Sequence, residues 1–301
     1  MKRYKTIGLV LGGVALLLVA IDGLLRLLSA GVPPGTLCPD GSPNGAFRYE
    51  PRNQYLETSP DDESNYVVCF GDGWTFGLGV ERKEAWPAVL EQLLQRHDPN
   101  LRVVNSAAVG ETSTDVAKIF KRQLVRYRSR QAVVMIGATD ATPQDLLEKY
   151  PPGDPFKAGF CRPPRWRLGH VLARRLAGYR LRLYPPDPPD DQSSRDRRIG
   201  ITQAQMNFMK IAGAAQELGA RLIFVTYPKL SAVQPGDPHL PLESRYNFLV
   251  AGAVTVCDGA ICDLEKRWGD KTGDYLLSWM LWPHPNAKGH ADIAKAVAGL
   301  L

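Results

Sequence analysis

The side chains able to do acid–base or nucleophilic chemistry sit at the ends of short apolar runs. His284 stands between Pro283 and Pro285; Thr75, Ser106 and Thr139 carry hydroxyls, and Asp140 a carboxyl group. An imidazole that takes a proton from a hydroxyl, itself oriented by an acid, is the arrangement of nucleophilic catalysis. A plainer role is open to each. His284 reads first as a loop histidine bonded to backbone, with a ligand contact as the alternative, and Asn286 reads as the cap of the helix that follows. The glycines from Gly71 to Gly79 read as turn residues; they lack the Gly-x-Gly-x-x-Gly spacing and downstream acid of a dinucleotide site. The five cysteines (Cys38, Cys69, Cys161, Cys257, Cys262) form no metal motif, and nothing in the chain calls for a metal or a cofactor.

The elements that must position these groups follow from apolar periodicity. Strands are expected at Asn65–Phe70, Leu101–Asn105, Gln131–Ile136 and Arg221–Tyr227, with a fifth at Val254–Cys257. Helices are expected over Glu84–His97, Thr114–Tyr127, Thr202–Leu218, Leu242–Gly252 and Asn286–Leu301. Apolar strands alternating with helices predict an α/β fold: a doubly wound, parallel, five-stranded sheet with helices on both faces. Ligands of such sheets sit beyond the carboxyl ends of the strands. The turns Gly71–Gly79, Asn105–Gly110 and Gly137–Asp140 fall there.

Read in order, those turns carry a resemblance. The strand Val67–Phe70 followed by Gly71-Asp72-Gly73-Trp74-Thr75-Phe76-Gly77-Leu78-Gly79-Val80 is similar to the first block of the SGNH (GDSL-type) hydrolase family, whose turn reads Gly-Asp-Ser-x-Thr. Asn105–Gly110 resembles the second block, Gly137-Ala138-Thr139-Asp140 the third, and His284-Pro285-Asn286-Ala287-Lys288-Gly289-His290 the last. The resemblance runs from about residue 65 to the C-terminus and implies an SGNH/flavodoxin-like fold. It also implies esterase chemistry with a Ser nucleophile, a Gly and an Asn as oxyanion donors, and an Asp three residues before the His.

Most of those positions are changed. The nucleophile position is Gly73, the oxyanion Asn is Thr139, and the acid is Leu281; Gly110 and His284 remain. Gly73 offers no hydroxyl for an acyl intermediate, and Leu281 cannot orient the imidazole. Loss of the nucleophile alone costs on the order of 10⁶ in turnover in a well-studied serine hydrolase. The expected protein is therefore a catalytically inactive relative whose cleft, lined by Gly73, Gly110 and Thr139 with His284 as a remnant, works by binding. Rewired catalysis is the alternative, with Thr75, Ser106 or Thr139 as nucleophile and Asp140 orienting the histidine. The enzyme would then be an esterase or O-acyltransferase acting on cell-envelope polysaccharide.

Outside this region, Lys2, Arg3 and Lys5 precede an apolar stretch reaching about Ala30, long enough to span a bilayer. Cleavage after Ala30 would put Leu28 at −3, a poor fit to a signal peptidase, so residues 1–30 read as an uncleaved anchor. The flanking charge places the N-terminus in the cytoplasm and the domain on the extracytoplasmic, periplasmic side. Asp22 and Arg26, four apart, share a helix face and can pair at the interface or meet a partner in the membrane. Residues 31–64 read as an extended Pro/Gly-rich linker, residues 65–301 as the hydrolase-like domain, and 141–200 as a basic, Pro-rich insertion within it.

Charge is localised in that insertion. Residues 161–200 hold ten Arg and four Asp, which accounts for the whole net charge of +6. The stretch Arg165–Arg182 has apolar residues at helical spacing, which predicts an amphipathic helix with a cationic face. That face is either simply solvated or meets anionic headgroups or an acidic partner. Basic charge confined to one insertion, without interleaved aromatics elsewhere, argues against nucleic acid. The 44% hydrophobic and 23% charged content excludes wholesale disorder and a multi-span membrane protein. Partners are therefore sought at the membrane. In an exported domain Cys257 with Cys262, or Cys38 with Cys161, could pair, whereas Cys69 reads as a buried thiol.

Overall fold

Each predicted apolar run that the structure covers becomes a strand, except the last. The computed structural model describes residues 65–141, 198–229, 243–276 and 284–301, together with Leu17 and Ala20. The strands are β1 (Asn65–Gly71), β2 (Leu101–Asn105), β3 (Gln131–Met135), β4 (Arg221–Val225) and β5 (Gly259–Cys262). They form one sheet in the order β2-β1-β3-β4-β5, every neighbouring pair parallel. Parallel neighbours need crossover connections, and these are helical. The helices are α1 (Gly73–Phe76), α2 (Trp86–Leu94), α3 (Ser113–Arg126), α4 (Ala138–Ala141), α5 (Ile201–Leu218), α6 (Glu243–Val254), α7 (Leu264–Trp268) and α8 (Ala287–Ala298). Short 3₁₀ turns cover Arg82–Glu84 and Gly269–Tyr275.

The two-residue period of each strand sorts its side chains between two cores. Val68, Phe70, Val134 and Phe224 face α3, α5 and α6 through Val116, Phe120, Phe208, Ile211 and Val250. Val67, Cys69, Val133, Met135 and Ile223 face α2, α7 and α8 through Trp86, Leu90, Trp268, Ile293 and Val297. Burial on both faces explains why the strands read as continuous apolar runs; each such side chain contributes roughly 1.5–3 kcal/mol. Helix ends follow local chemistry. Thr112 and Asp115 form a reciprocal capping box on α3, and Gly219 closes α5 in the left-handed region at φ 59°.

Two expectations are corrected. The fifth strand is not Val254–Cys257 but Gly259–Cys262. The apolar residues Val250, Ala253 and Val254 pack on the core as the last turns of α6, so the chain turns only afterwards. A Cβ on Gly259 would lie 2.9 Å from Val254 Cγ1 and 3.2 Å from the Leu222 carbonyl, so the strand edge fits only a bare glycine there. Cys257 and Cys262 are free thiols rather than a disulfide. The first packs with the α3/α5/α6 core and the second with the α2/α7/α8 core, on opposite faces of the sheet. Cys69 is a buried free thiol, as expected.

Residues 1–30 (apart from Leu17 and Ala20), the linker 31–64, the stretch Arg165–Arg182, Leu281, Cys38 and Cys161 lie outside the described residues. Among the described residues no helix is long and apolar enough to cross a membrane. The two ends of the insertion do meet: Ile199 N donates to the Asp140 carbonyl at 3.2 Å.

Candidate functional site

The site is built at the carboxyl ends of β1, β2 and β3, where the strand order reverses. Strand β1 ends at Gly71, where only a glycine fits because a Cβ would overlap Thr75 Oγ1 and the Met135 carbonyl. Asp72 then caps α1, its Oδ1 accepting from Trp74 N at 3.0 Å. Gly73 is the first residue of α1, and the helix closes after one turn at Gly77, left-handed at φ 91°. A turn predicted as loop is therefore a short helix that presents residue 73.

What Gly73 faces is His284. An ideal Cβ on Gly73 would lie 2.8 Å from His284 Nε2, 3.5 Å from its Cδ2 and 3.6 Å from Leu78 Cδ2. The ring nitrogen thus stands in the space that a side chain at position 73 would enter. Behind the ring is an aromatic wall: Trp74 lies 6.2 Å from His284 between ring centroids, edge-on to Tyr227 at 5.2 Å and stacked with Trp268 at 6.3 Å. The His284 loop is anchored by Asn286, which caps α8 by accepting from Gly289 N at 2.9 Å. The same side chain donates to the Asp274 and Leu276 carbonyls at 3.0 and 3.2 Å. Its capping role is the one expected from sequence.

Of the candidate replacement hydroxyls, two are unpartnered and one is engaged elsewhere. Thr75 Oγ1 and Ser106 Oγ are buried and make no hydrogen bond. Thr139 Oγ1 donates to Asp72 Oδ2 at 3.1 Å. A hydroxyl has one proton, so in this arrangement Thr139 does not offer it to a ligand oxygen. Asp140 does not orient the histidine in this geometry: its Oδ1 accepts from Ser113 N at 2.8 Å, and its Oδ2 is buried with no partner. Burial pushes Asp140 up to about 6, against the hydrogen bonding of Ser113.

Asp72 is the polar centre of the site. Besides Trp74 N and Thr139 it accepts from Tyr227 Oη at 2.9 Å, and Tyr227 Oη also reaches the Met135 carbonyl at 3.2 Å. Burial raises the Asp72 carboxyl above its ordinary value, although these donors favour the charged form. The remaining predicted residue, Gly110, follows β2 at φ 79°. Its loop is held to β1 by Ala108 N donating to the Gly71 carbonyl at 3.3 Å, and Asn105 Nδ2 donates to the Thr75 carbonyl at 3.0 Å.

Gly73 and His284 are thus face to face, Thr139 is bound to the residue beside Gly73, and Gly110 lies on a loop tied to the same strand end. Leu281 is outside the described residues. Two site residues went unseen in the sequence. Tyr227 ends an apolar strand run, a position that marks it once the sheet order is known. Arg198 lies beside Gly110, its Nη1 3.6 Å from where a Gly110 Cβ would be, yet nothing separates it from the other arginines of its segment. Among the described residues no three His, Cys, Asp or Glu side chains gather as a metal site.

Comparison with solved structures finds the same fold in hydrolases. A lipase/acylhydrolase from Enterococcus faecalis superposes with a TM-score of 0.51 at 14% identity, covering 78% of this chain and 94% of its own. Axe2, an acetylxylan esterase from Geobacillus stearothermophilus, gives 0.50 at 16% identity over 79% and 94%. A structure of TesA gives 0.50 at 15% identity over 77% and 96%. No curated protein sequence matches the chain. The family model of the GDSL-like lipases and acylhydrolases matches residues 69–291, and the chain belongs to that family.

Proposed function

We propose that the protein is a non-hydrolytic member of its family: a membrane-tethered, extracytoplasmic domain that binds a ligand in the former catalytic cleft as an accessory or scaffold subunit of a membrane assembly. One observation carries this reading. The position that would hold the nucleophile is a glycine, and His284 Nε2 lies 2.8 Å from where its Cβ would be, so the histidine has no hydroxyl at that position to deprotonate. The Thr139 hydroxyl is turned to Asp72, and Thr75 and Ser106 make no hydrogen bond, which supports the absence of a substitute. Leu281, three residues before His284, adds an apolar side chain where the family carries its acid.

The tether is residues 1–30, followed by the linker 31–64, with the N-terminus cytoplasmic; the cationic stretch Arg165–Arg182 would lie near anionic headgroups or an acidic partner. The rival reading, an esterase or O-acyltransferase on cell-envelope polysaccharide, draws on neighbours such as the acetylxylan esterase. It requires an oxygen nucleophile against His284.

A fluorophosphonate probe separates the two, because it reports an activated hydroxyl directly. The full chain in detergent is expected to remain unlabelled and to retain a lipid-extracted polysaccharide or acyl ligand unchanged. Stoichiometric labelling at Thr75, Ser106 or Thr139 would establish the rival. Protease digestion of intact cells and of spheroplasts tests the topology; a domain digested only from the cytoplasmic side would overturn it.

A further inference from the structure

Folding sorts charge in a way that counting along the sequence hides. Outside residues 161–200 the basic and acidic residues balance, yet the helices on one face of the sheet expose mainly cations. The exposed side chains of α3 are Lys118, Lys121, Arg122, Val125 and Arg126, and α5 adds Lys210. Among the described side chains of α3, α5 and α6 the exposed carboxylate is Glu217, and it is paired with Lys121. The helix dipole accounts for Arg126 in the last turn of α3, but not for Lys118 or Lys210 at mid-helix. The same layer carries the exposed apolar side chains. Among the described residues from 65 onward these are Val125 (58%), Met206 (47%), Met209 (39%) and Phe248 (78%), all on α3, α5 and α6. The three helices pack side by side: Asn207 Nδ2 donates to Ser113 Oγ and Thr114 Oγ1, and Tyr246 packs with Ala204. On the other face of the sheet, exposed charges have both signs, as in Lys266, Arg267, Asp270 and Asp274, and no large apolar side chain is exposed among the described residues.

We propose that the outer face of α3, α5 and α6 docks on an anionic lipid surface, its cations meeting headgroup phosphates and Met206, Met209 and Phe248 entering the acyl boundary. Charge complementarity selects this occupant. A second copy would set one cationic face against another, and a nucleic-acid backbone would leave Phe248 and the methionines without an apolar partner. An anionic bilayer meets both kinds of side chain at once. Because this layer covers one face of the sheet, docking leaves the cleft at the strand ends opening along the surface rather than into it.

Hydroxyl-radical footprinting tests this on the full chain, reconstituted into nanodiscs of phosphatidylcholine alone and of phosphatidylcholine mixed with phosphatidylglycerol. At low salt, oxidation of Met206, Met209 and Phe248 is expected to be about fivefold slower in the anionic discs, the factor that one cation at such a surface supplies. The protection should fade as salt screens the headgroups. Replacing two exposed cations together, Lys118→Gln with Arg122→Gln, should remove most of it, whereas His97, exposed just after α2 on the other face, should oxidise alike in both discs. Equal oxidation of the three residues in the two discs would overturn the lipid assignment and leave an acidic protein as the partner. Protection unmoved by the double substitution, or shared by His97, would overturn it as well. The face stands apart from the tether: a chain that enters neither disc, yet is protected by added phosphatidylglycerol vesicles, would remove residues 1–30 as an anchor and keep the docking face.

Discussion

Asp72 and Gly73 are neighbours in the chain and opposites in what they retain. Asp72 is buried and takes hydrogen bonds from the turn it caps, from Thr139 beyond β3 and from Tyr227 beyond β4. It ties three strand ends together, so the geometry of the cleft depends on it. Gly73 bonds nothing through a side chain, and the imidazole opposite has room to stand where a side chain would be. The polar frame around the site does structural work, whereas residue 73, opposite the imidazole, contributes no side chain.

The largest test of that contrast is Asp72→Ala. It removes the acceptor of Trp74 N, Thr139 Oγ1 and Tyr227 Oη in the interior, of which Tyr227 Oη alone keeps a second one in the Met135 carbonyl, and should cost about 3–5 kcal/mol, read as a drop in the urea midpoint. A cost no larger than that of a surface substitution would mean that Asp72 is not a keystone. Next in size is the response to acid, where two buried groups pull in opposite directions. His290 is held down to about 3, first by burial and then by His284, with its Nδ1 accepting from Trp86 N at 3.2 Å. The unfolded chain takes up this proton below the ordinary value of 6.5, so stability is lost as pH falls from there toward 3. Asp140, raised from 3.8 to about 6, binds its proton more readily in the folded state and stabilises as pH falls through that window. Between pH 7 and pH 5, His290→Gln should flatten the acid loss seen in denaturant titrations, and Asp140→Asn should steepen it.

Smaller again is Tyr227→Phe, which removes one of the three Asp72 donors and should cost about 1 kcal/mol in the same titration. Smallest is Gly73→Ser. The new Cβ would start 2.8 Å from Nε2, but the neighbour is the tip of a side chain that can swing away, so the unfolding midpoint should barely move. Ester turnover should stay at background too, because Leu281, three residues before His284, has no carboxylate to orient the imidazole. Recovery of turnover by this single change would show that the contrast rests on one atom.

Much of the fold was legible because burial on both faces of a parallel sheet leaves uninterrupted apolar runs. Strand β2 falls on its predicted residues, and β1, β3 and β4 begin where expected. The fifth strand was misplaced because Val254-Thr-Val-Cys257 carries the β-branched signal, while Gly259-Ala-Ile-Cys262 carries little of it. Of the site, the motif positions were readable and two of them, Gly73 and His284, do face each other. Tyr227 and Arg198 were not readable. They reach the site through the strand order and the ends of the insertion, which bring together residues far apart in the chain.

The central claim concerns an absent reaction, and the hydrolysis of p-nitrophenyl acetate by the purified full chain measures it most directly. The rate should equal that of the His284→Ala variant and of buffer. Turnover above background that disappears in His284→Ala would contradict it.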